Sequence, residues 1–387
     1  MQIERLHAAA APARDARIDL LRGIAILIVL LLHFSLTYRL TQSSIADLLT
    51  PTFVRALIVN GNYGVTMFFA ISGFLITSNT IRRDGSLARI NITRFYLYRF
   101  ARIMPSIALA LAVIAPLGLS GVPSFANSVH GQPLPPSFFI VAVGSVLTFW
   151  HNVLMQSVGY FNYCMNIYWS LSVEEVFYLV FPLAAAVLGR TRWFVALCAL
   201  AVVAGPIYRG MHADNELYFM YGYIACFDAI ALGCIAALLK PAIVLSRTAA
   251  RTVTLIAASA LAATYLIGID GHEAFGFTAI ALATTLLLLT APDSADSRPI
   301  RLLAPLRWMG RHSYELYLFH IIVLAAMRDL VPRDALAYAV KPLWLALFVA
   351  LSCAIAALVS RLFAEPLNKA LRLNFVPVRP IVAESLS

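Results

Sequence analysis

Arg22 and His33 stand eleven residues apart, at the two ends of the apolar run RGIAILIVLLLHF. At 3.6 residues per turn this is close to three turns, so the two side chains share a helix face, roughly 16 Å apart along the axis. An imidazole can take a proton from a hydroxyl or carry a transferred group. A guanidinium is a fork for carboxylate or phosphate. Ionisable side chains on an apolar helix usually face a bundle interior or a wet cavity. Two simpler readings stay open: Arg22 as an interfacial anchor, and His33 as a buried ring bonded to a carbonyl.

Three further stretches carry groups of the same kind. In RFYLYRFARIMP (94–105), Arg99 and Arg102 are three apart on one face, with Pro105 expected just inside the start of the next apolar helix. Such a pair at a cytoplasmic surface suits phosphate, and equally a topology signal or a lipid headgroup. In WSLSVEEVFYLVFP (169–182), Glu174 and Glu175 are adjacent at the start of an apolar helix. Neighbouring helical residues point about 100° apart, so one can meet a cavity while the other pairs elsewhere; complementing the helix dipole is the alternative. In SYELYLFHIIV (313–323), Tyr317 and His320 form a secondary candidate, or a structural pair. RLFAEPLNKAL, with Arg361 and Glu365 at i, i+4, reads as an interfacial ion pair and helix stop. No cluster has metal-ligand spacing, so no metal is implied.

The elements that must position these groups are transmembrane helices. The chain of 387 residues is 61% hydrophobic and 12% charged, with a mean hydropathy of +0.82, about half the charged fraction of a soluble protein. Its net charge of +10 reflects basic cytoplasmic loops rather than nucleic-acid binding. The five cysteines show no CxxC pair, and no cleavable signal peptide is visible. Apolar segments recur from 18–38 to 342–363. The Lys and Arg distribution favours ten spanning helices with both termini cytoplasmic, provided that 138–155, with Trp150, His151 and Asn152, is re-entrant or interfacial. Glu174 and Glu175 then lie in the outer half, near the depth of His33. The expected organisation is a polar N-terminus at 1–17, a membrane domain at 18–370 and a short cytoplasmic tail at 371–387. No internal repeat is visible.

Taken together, these stretches resemble the acyltransferase-3 family of integral-membrane acyltransferases. The matching pieces are RIDLLRGIAILIVLLLHF, GVTMFFAISGFLI (64–76), YRFARIMP (98–105), WSLSVEEVFYL (169–179), DAIALGCIAALL (228–239), SYELYLFH (313–320) and AEPL (364–367). Thr66, Val176, Glu315 and Phe319 depart from residues usual in the family. The resemblance implies an enzyme of a bacterial inner membrane that moves an acyl group, usually acetyl, from cytoplasmic acyl-CoA to a hydroxyl. The acceptor would be a cell-envelope saccharide or glycolipid or, alternatively, a small metabolite such as a macrolide. It also implies that Arg22, Arg99 and Arg102 hold the CoA phosphates. His33 would be general base or acyl carrier, supported by Glu174 or Glu175. A proton-coupled transporter or flippase is the rival from another class, and the lack of a repeat counts against it.

Overall fold

The computed structural model describes residues 15–189, 191–290 and 300–375. Most of the polar N-terminus and the end of the expected tail lie outside the described residues. Ten helices of 17 residues or more carry the fold among those described. They are α1 (Ala16–Tyr38), α2 (Tyr63–Asp84), α3 (Ile92–Leu119), α4 (Trp169–Leu188), α5 (Thr191–Met211), α6 (Tyr223–Leu239), α7 (Arg247–Ile267), α8 (Glu273–Leu289), α9 (Ser313–Leu330) and α10 (Lys341–Val359). Strand structure among the described residues is a two-residue hairpin, Ser128–Val129 with Gln132–Pro133. The architecture is all-α and polytopic.

Eight of the described helical stretches are long and apolar enough to cross a bilayer: α1, Phe53–Asp84 around α2, α3, and the stretches built on α4, α5, α6, α7 and α10. Of the other two, α8 has 17 residues, and α9 places Glu315, Arg328 and Asp329 within its 18. The segment at 138–155 is not one helix. It breaks into Phe138–Leu147 and His151–Val158, about 15 Å and 12 Å long, against a hydrocarbon core of about 30 Å. Phe149, at φ 65°, turns the chain between them. The peptide N–H of His151 donates to Ser172 Oγ of α4 at 3.0 Å, which fastens the second piece to a long helix.

Two local starts and stops differ from the sequence expectation. Helix α3 begins at Ile92, capped by Asn91, whose side chain accepts from the Arg94 N–H at 2.9 Å. Pro105 therefore sits mid-helix, and Arg99 and Arg102 belong to the helix body. The second difference lies at AEPL. The chain does not stop there but passes through a π-turn, Ser360–Ala364, into a further helix, Glu365–Phe375. Glu365 accepts from Ser360 Oγ at 3.4 Å.

The chain divides into two compact units: residues 1–78, 198–314 and 333–346, and residues 79–197, 315–332 and 347–387. In the first, Ile18, Leu21, Tyr63, Met67, Phe74 and Phe277 form a buried apolar core. Helices α2 and α6 cross backbone to backbone there. A Cβ on Gly73 would meet the Ile230 carbonyl oxygen at 2.0 Å, and one on Gly233 that of Ala70 at 2.0 Å. Small residues permit this approach where lipid provides no hydrophobic drive between helices. Arg209 of α5 is fully buried and forms a two-pronged ion pair with Asp228 of α6, at 2.7 and 3.1 Å. Thr278 of α8 donates to Asp228 at 2.6 Å and accepts from Arg209. In the second unit, Phe95 stacks on Phe181 with ring centroids 5.6 Å apart. Asp329 accepts from Ser124 Oγ at 2.6 Å, holding the loop after α3 to the end of α9.

Candidate active site

Arg22 and His33 lie in the first unit, on one uninterrupted helix. Asp15 caps that helix, accepting from the Arg17 N–H at 2.8 Å. The Arg22 guanidinium donates to Ser313 Oγ from Nε at 3.1 Å and from Nη2 at 2.8 Å. It is thus held by protein in addition to any contact with the membrane surface. The short helix Ala304–Arg311 presses against this end of α1. A Cβ on Gly23 would strike the Leu306 carbonyl oxygen at 1.9 Å, and one on Gly310 that of Asp19 at 1.7 Å. At the other end, Arg333 donates to the open carbonyls of Thr37 at 2.6 Å and Leu36 at 3.0 Å, closing the last turn.

His33 is partly exposed, and its Nδ1 lies 3.0 Å from the carbonyl oxygen of Val29, one turn back. A carbonyl only accepts, so in the neutral ring Nδ1 carries the proton and Nε2 the basic lone pair. His320 has the same local bond, Nδ1 to the Leu316 carbonyl at 2.9 Å, but is fully buried.

The remaining candidates lie in the second unit. The Arg99 guanidinium carbon sits 5.3 Å from the Tyr178 ring centroid and 5.9 Å from that of Phe95. Tyr178 donates from its hydroxyl to Glu174, one turn back on α4. Glu175 is buried, with Oε1 lacking a hydrogen-bond partner. Arg99 lies within electrostatic reach of Arg102, Glu174 and Glu175. The sequence places Arg99 and the glutamates at opposite depths; in the structure they share one cluster, with Arg99 in the body of α3, about 10 Å past its start. Tyr317 donates to the Ile167 carbonyl at 2.9 Å and lies 2.6 Å from Ser170 Oγ, while its ring is 6.0 Å from that of His320.

Sequence reasoning missed Ser313 as the partner of Arg22 and Tyr178 as the link between Arg99 and Glu174. The first pair is separated by 291 residues, and no local signal marks it. The second was readable from the i, i+4 spacing of Glu174 and Tyr178. Among the described residues there is no group of three or more His, Cys, Asp or Glu side chains that could hold a metal ion.

The family model for an acyltransferase domain matches residues 15–361. The chain belongs to the acyltransferase-3 family. Membership places it among acyltransferase enzymes, and its membrane helices fit an integral-membrane member. It is 26% identical over 289 residues to the O-acetyltransferase OatA of Staphylococcus aureus (strain NCTC 8325 / PS 47), covering 68% of this chain and 46% of that protein. It is 24% identical over 329 residues to the peptidoglycan O-acetyltransferase OatA of Listeria monocytogenes, covering 79% of this chain and 49% of that one. The chain spans about half the length of the curated relatives it matches. No solved structure matches it.

Proposed function

We propose that this acyltransferase-3 chain transfers an acetyl group from acetyl-CoA to a hydroxyl of a cell-envelope saccharide, in a bacterial inner membrane. The names of its relatives support acetyl as the group and an envelope glycan as the acceptor. Residues 18–370 form the acyltransferase domain. They cross the membrane ten times, with both termini cytoplasmic and the segment at 138–155 re-entrant or interfacial. Two helices of 10 and 8 residues support that last assignment, since neither has the length to span.

The donor phosphates bind to Arg22, Arg99 and Arg102. Arg22 is pre-set by Ser313, and Arg99 by Tyr178. His33 Nε2 takes the proton of the acceptor hydroxyl as its oxygen attacks the thioester carbonyl. The carbon–sulfur bond breaks, and CoA leaves as the thiolate, which then takes a proton. Glu174 or Glu175 supplies the negative charge that favours the imidazolium. Tyr317 and His320 are positioning residues: both are tied to backbone carbonyls, and His320 is fully buried.

The observation that carries the reading is that His33 stands on the same uninterrupted helix as Arg22, with its Nδ1 3.0 Å from the Val29 carbonyl oxygen. The test is purified protein incubated with acetyl-CoA and a soluble glycan fragment, with release of free CoA thiol and ester formation both measured. The reading predicts both in equal amounts without an ion gradient. Absence of both with well-folded protein contradicts it.

A further inference from the structure

The arginines that the sequence pairs, Arg99 and Arg102, are part of a larger basic cluster in the second unit. Two other guanidinium groups lie over the ring of Tyr98, Arg83 at 5.6 Å and Arg372 at 4.7 Å from its centroid. Arg372, from the helix Glu365–Phe375, is also within electrostatic reach of Arg83, Arg99 and Arg102. Asp84 has a side chain only 2% exposed; it accepts from Arg83 at 3.1 Å and from Arg94. The Nε atoms of Arg94 and of Arg372 are buried with no hydrogen-bond acceptor.

Arginines that only set topology spread into water or headgroups. Here two arginines from separate helices, Arg83 and Arg372, converge on one tyrosine, and one buried carboxylate, Asp84, is shared between Arg83 and Arg94 of a third helix. Like charges gathered in this way repel unless an anion joins them. Arg99 leans on Tyr178 toward the glutamates, and Arg83 and Arg94 share the single charge of Asp84, so the charge left beside Tyr98 for a further anion is that of Arg372 together with the uncompensated part of Arg83.

We propose that Arg83, Tyr98 and Arg372 form a phosphate subsite for the nucleotide end of acyl-CoA, taking its ribose 3′-phosphate. The inference rests on acyl-CoA as the donor. Tyr98 precedes Arg102 by four residues, about 6 Å toward the start of α3. A donor whose diphosphate lies on Arg99 and Arg102 and whose thioester reaches into the membrane leaves its ribose phosphate on that cytoplasmic side. A phosphate monoester carries about −1.5 to −2 charges near neutral pH. It gains more from two converging forks than a singly charged diester does. The anionic headgroup of a phospholipid offers the same phosphate chemistry and is the source to be separated by experiment.

The test is calorimetric binding of CoA and of 3′-dephospho-CoA to the full chain in detergent. It compares wild type with Arg372→Gln, Arg372→Lys and Arg83→Gln, with melting temperatures recorded for each. It is repeated in nanodiscs of phosphatidylcholine with and without phosphatidylglycerol. Wild type is expected to prefer CoA by about tenfold or more, the scale of charge-assisted contacts. Arg372→Gln and Arg83→Gln are expected to lose that preference while binding 3′-dephospho-CoA as wild type does, with Arg372→Lys between. Equal weakening of both ligands, or no change in CoA binding, overturns the subsite while leaving acyl-CoA as donor. An effect of the variants confined to phosphatidylglycerol discs assigns the arginines to a lipid headgroup and also overturns it. Wild type that binds neither nucleotide overturns the acyl-CoA reading itself. Because Arg83 and Arg372 lie on different helices, poor folding of one variant leaves the other to decide.

Discussion

At the scale of single residues, the candidate site is built from short-range ties that set one side chain each. Val29 sets the His33 ring, Ser313 sets the Arg22 fork, and Tyr178 stands between Arg99 and Glu174. Each tie implies a separable effect. Ser313→Ala removes both hydrogen bonds to Arg22 and should raise KM for acetyl-CoA several-fold with kcat nearly unchanged, because it loosens an anchor rather than the base. A fall in kcat at constant KM would place Arg22 in the chemical step instead. Tyr178→Phe keeps a ring over Arg99 but drops the bond to Glu174. Its loss of turnover should be smaller than that of Glu174→Gln, as steady-state rates of the two variants will show. Replacing both Arg99 and Arg102 with Gln should weaken donor binding about tenfold or more per contact, measured by titration calorimetry.

At the scale of elements, part of the design is visible in the sequence and part is not. Helix α1 was legible because nine apolar residues run from Ile24 to Leu32 with polar groups at each end. The start of α3 was not, because Arg94 and Arg99 cut Ile92–Phe100 down to the short run Phe95–Tyr98. Its helical character comes from the Asn91 cap and from burying Phe95. The interruption at Phe149 has no Gly or Pro beside it. The Lys and Arg distribution and the cluster of Trp150, His151 and Asn152 marked the segment as unusual, but not where it breaks.

His151 is buried beside Ser145 Oγ, 2.7 Å from Nδ1. Burial pushes its pKa down from 6.5 to about 4. As the pH falls below 6.5, the unfolded chain takes up a proton that the folded ring refuses until about pH 4, so stability is lost across that window. His151→Asn should melt with a shallower dependence on pH between 7 and 4.5 than wild type. Parallel melting curves would show that His151 adds no such linkage. The Arg209–Asp228 pair is the other element-scale test. Asp228→Asn leaves a buried guanidinium undercompensated and should cost about 3–5 kcal/mol. An apolar double replacement of Arg209 and Asp228 should recover much of the lost stability, as read by thermal unfolding in detergent.

At the scale of the whole molecule, composition and hydropathy made the all-α membrane architecture legible, and ordered weak motifs made the family legible. Long-range pairings such as Arg22 with Ser313 were not, because helical periodicity reports which face is polar and not what covers it. Topology is tested by reporters fused after residues 128 and 160. With the segment at 138–155 non-spanning, both should read extracytoplasmic, and a cytoplasmic signal at 160 would restore an additional span.

The central claim is that His33 is the base of acyl transfer and that the arginines bind the donor separately from it. The most direct measurement is made on purified His33→Ala, with acetyl-CoA binding and acetyl transfer to a glycan followed on the same sample. General base catalysis contributes about 10²–10⁴ in rate. The account predicts transfer reduced by that factor with acetyl-CoA affinity within about twofold of wild type. Near-normal transfer by well-folded His33→Ala protein would contradict it and move the base away from α1.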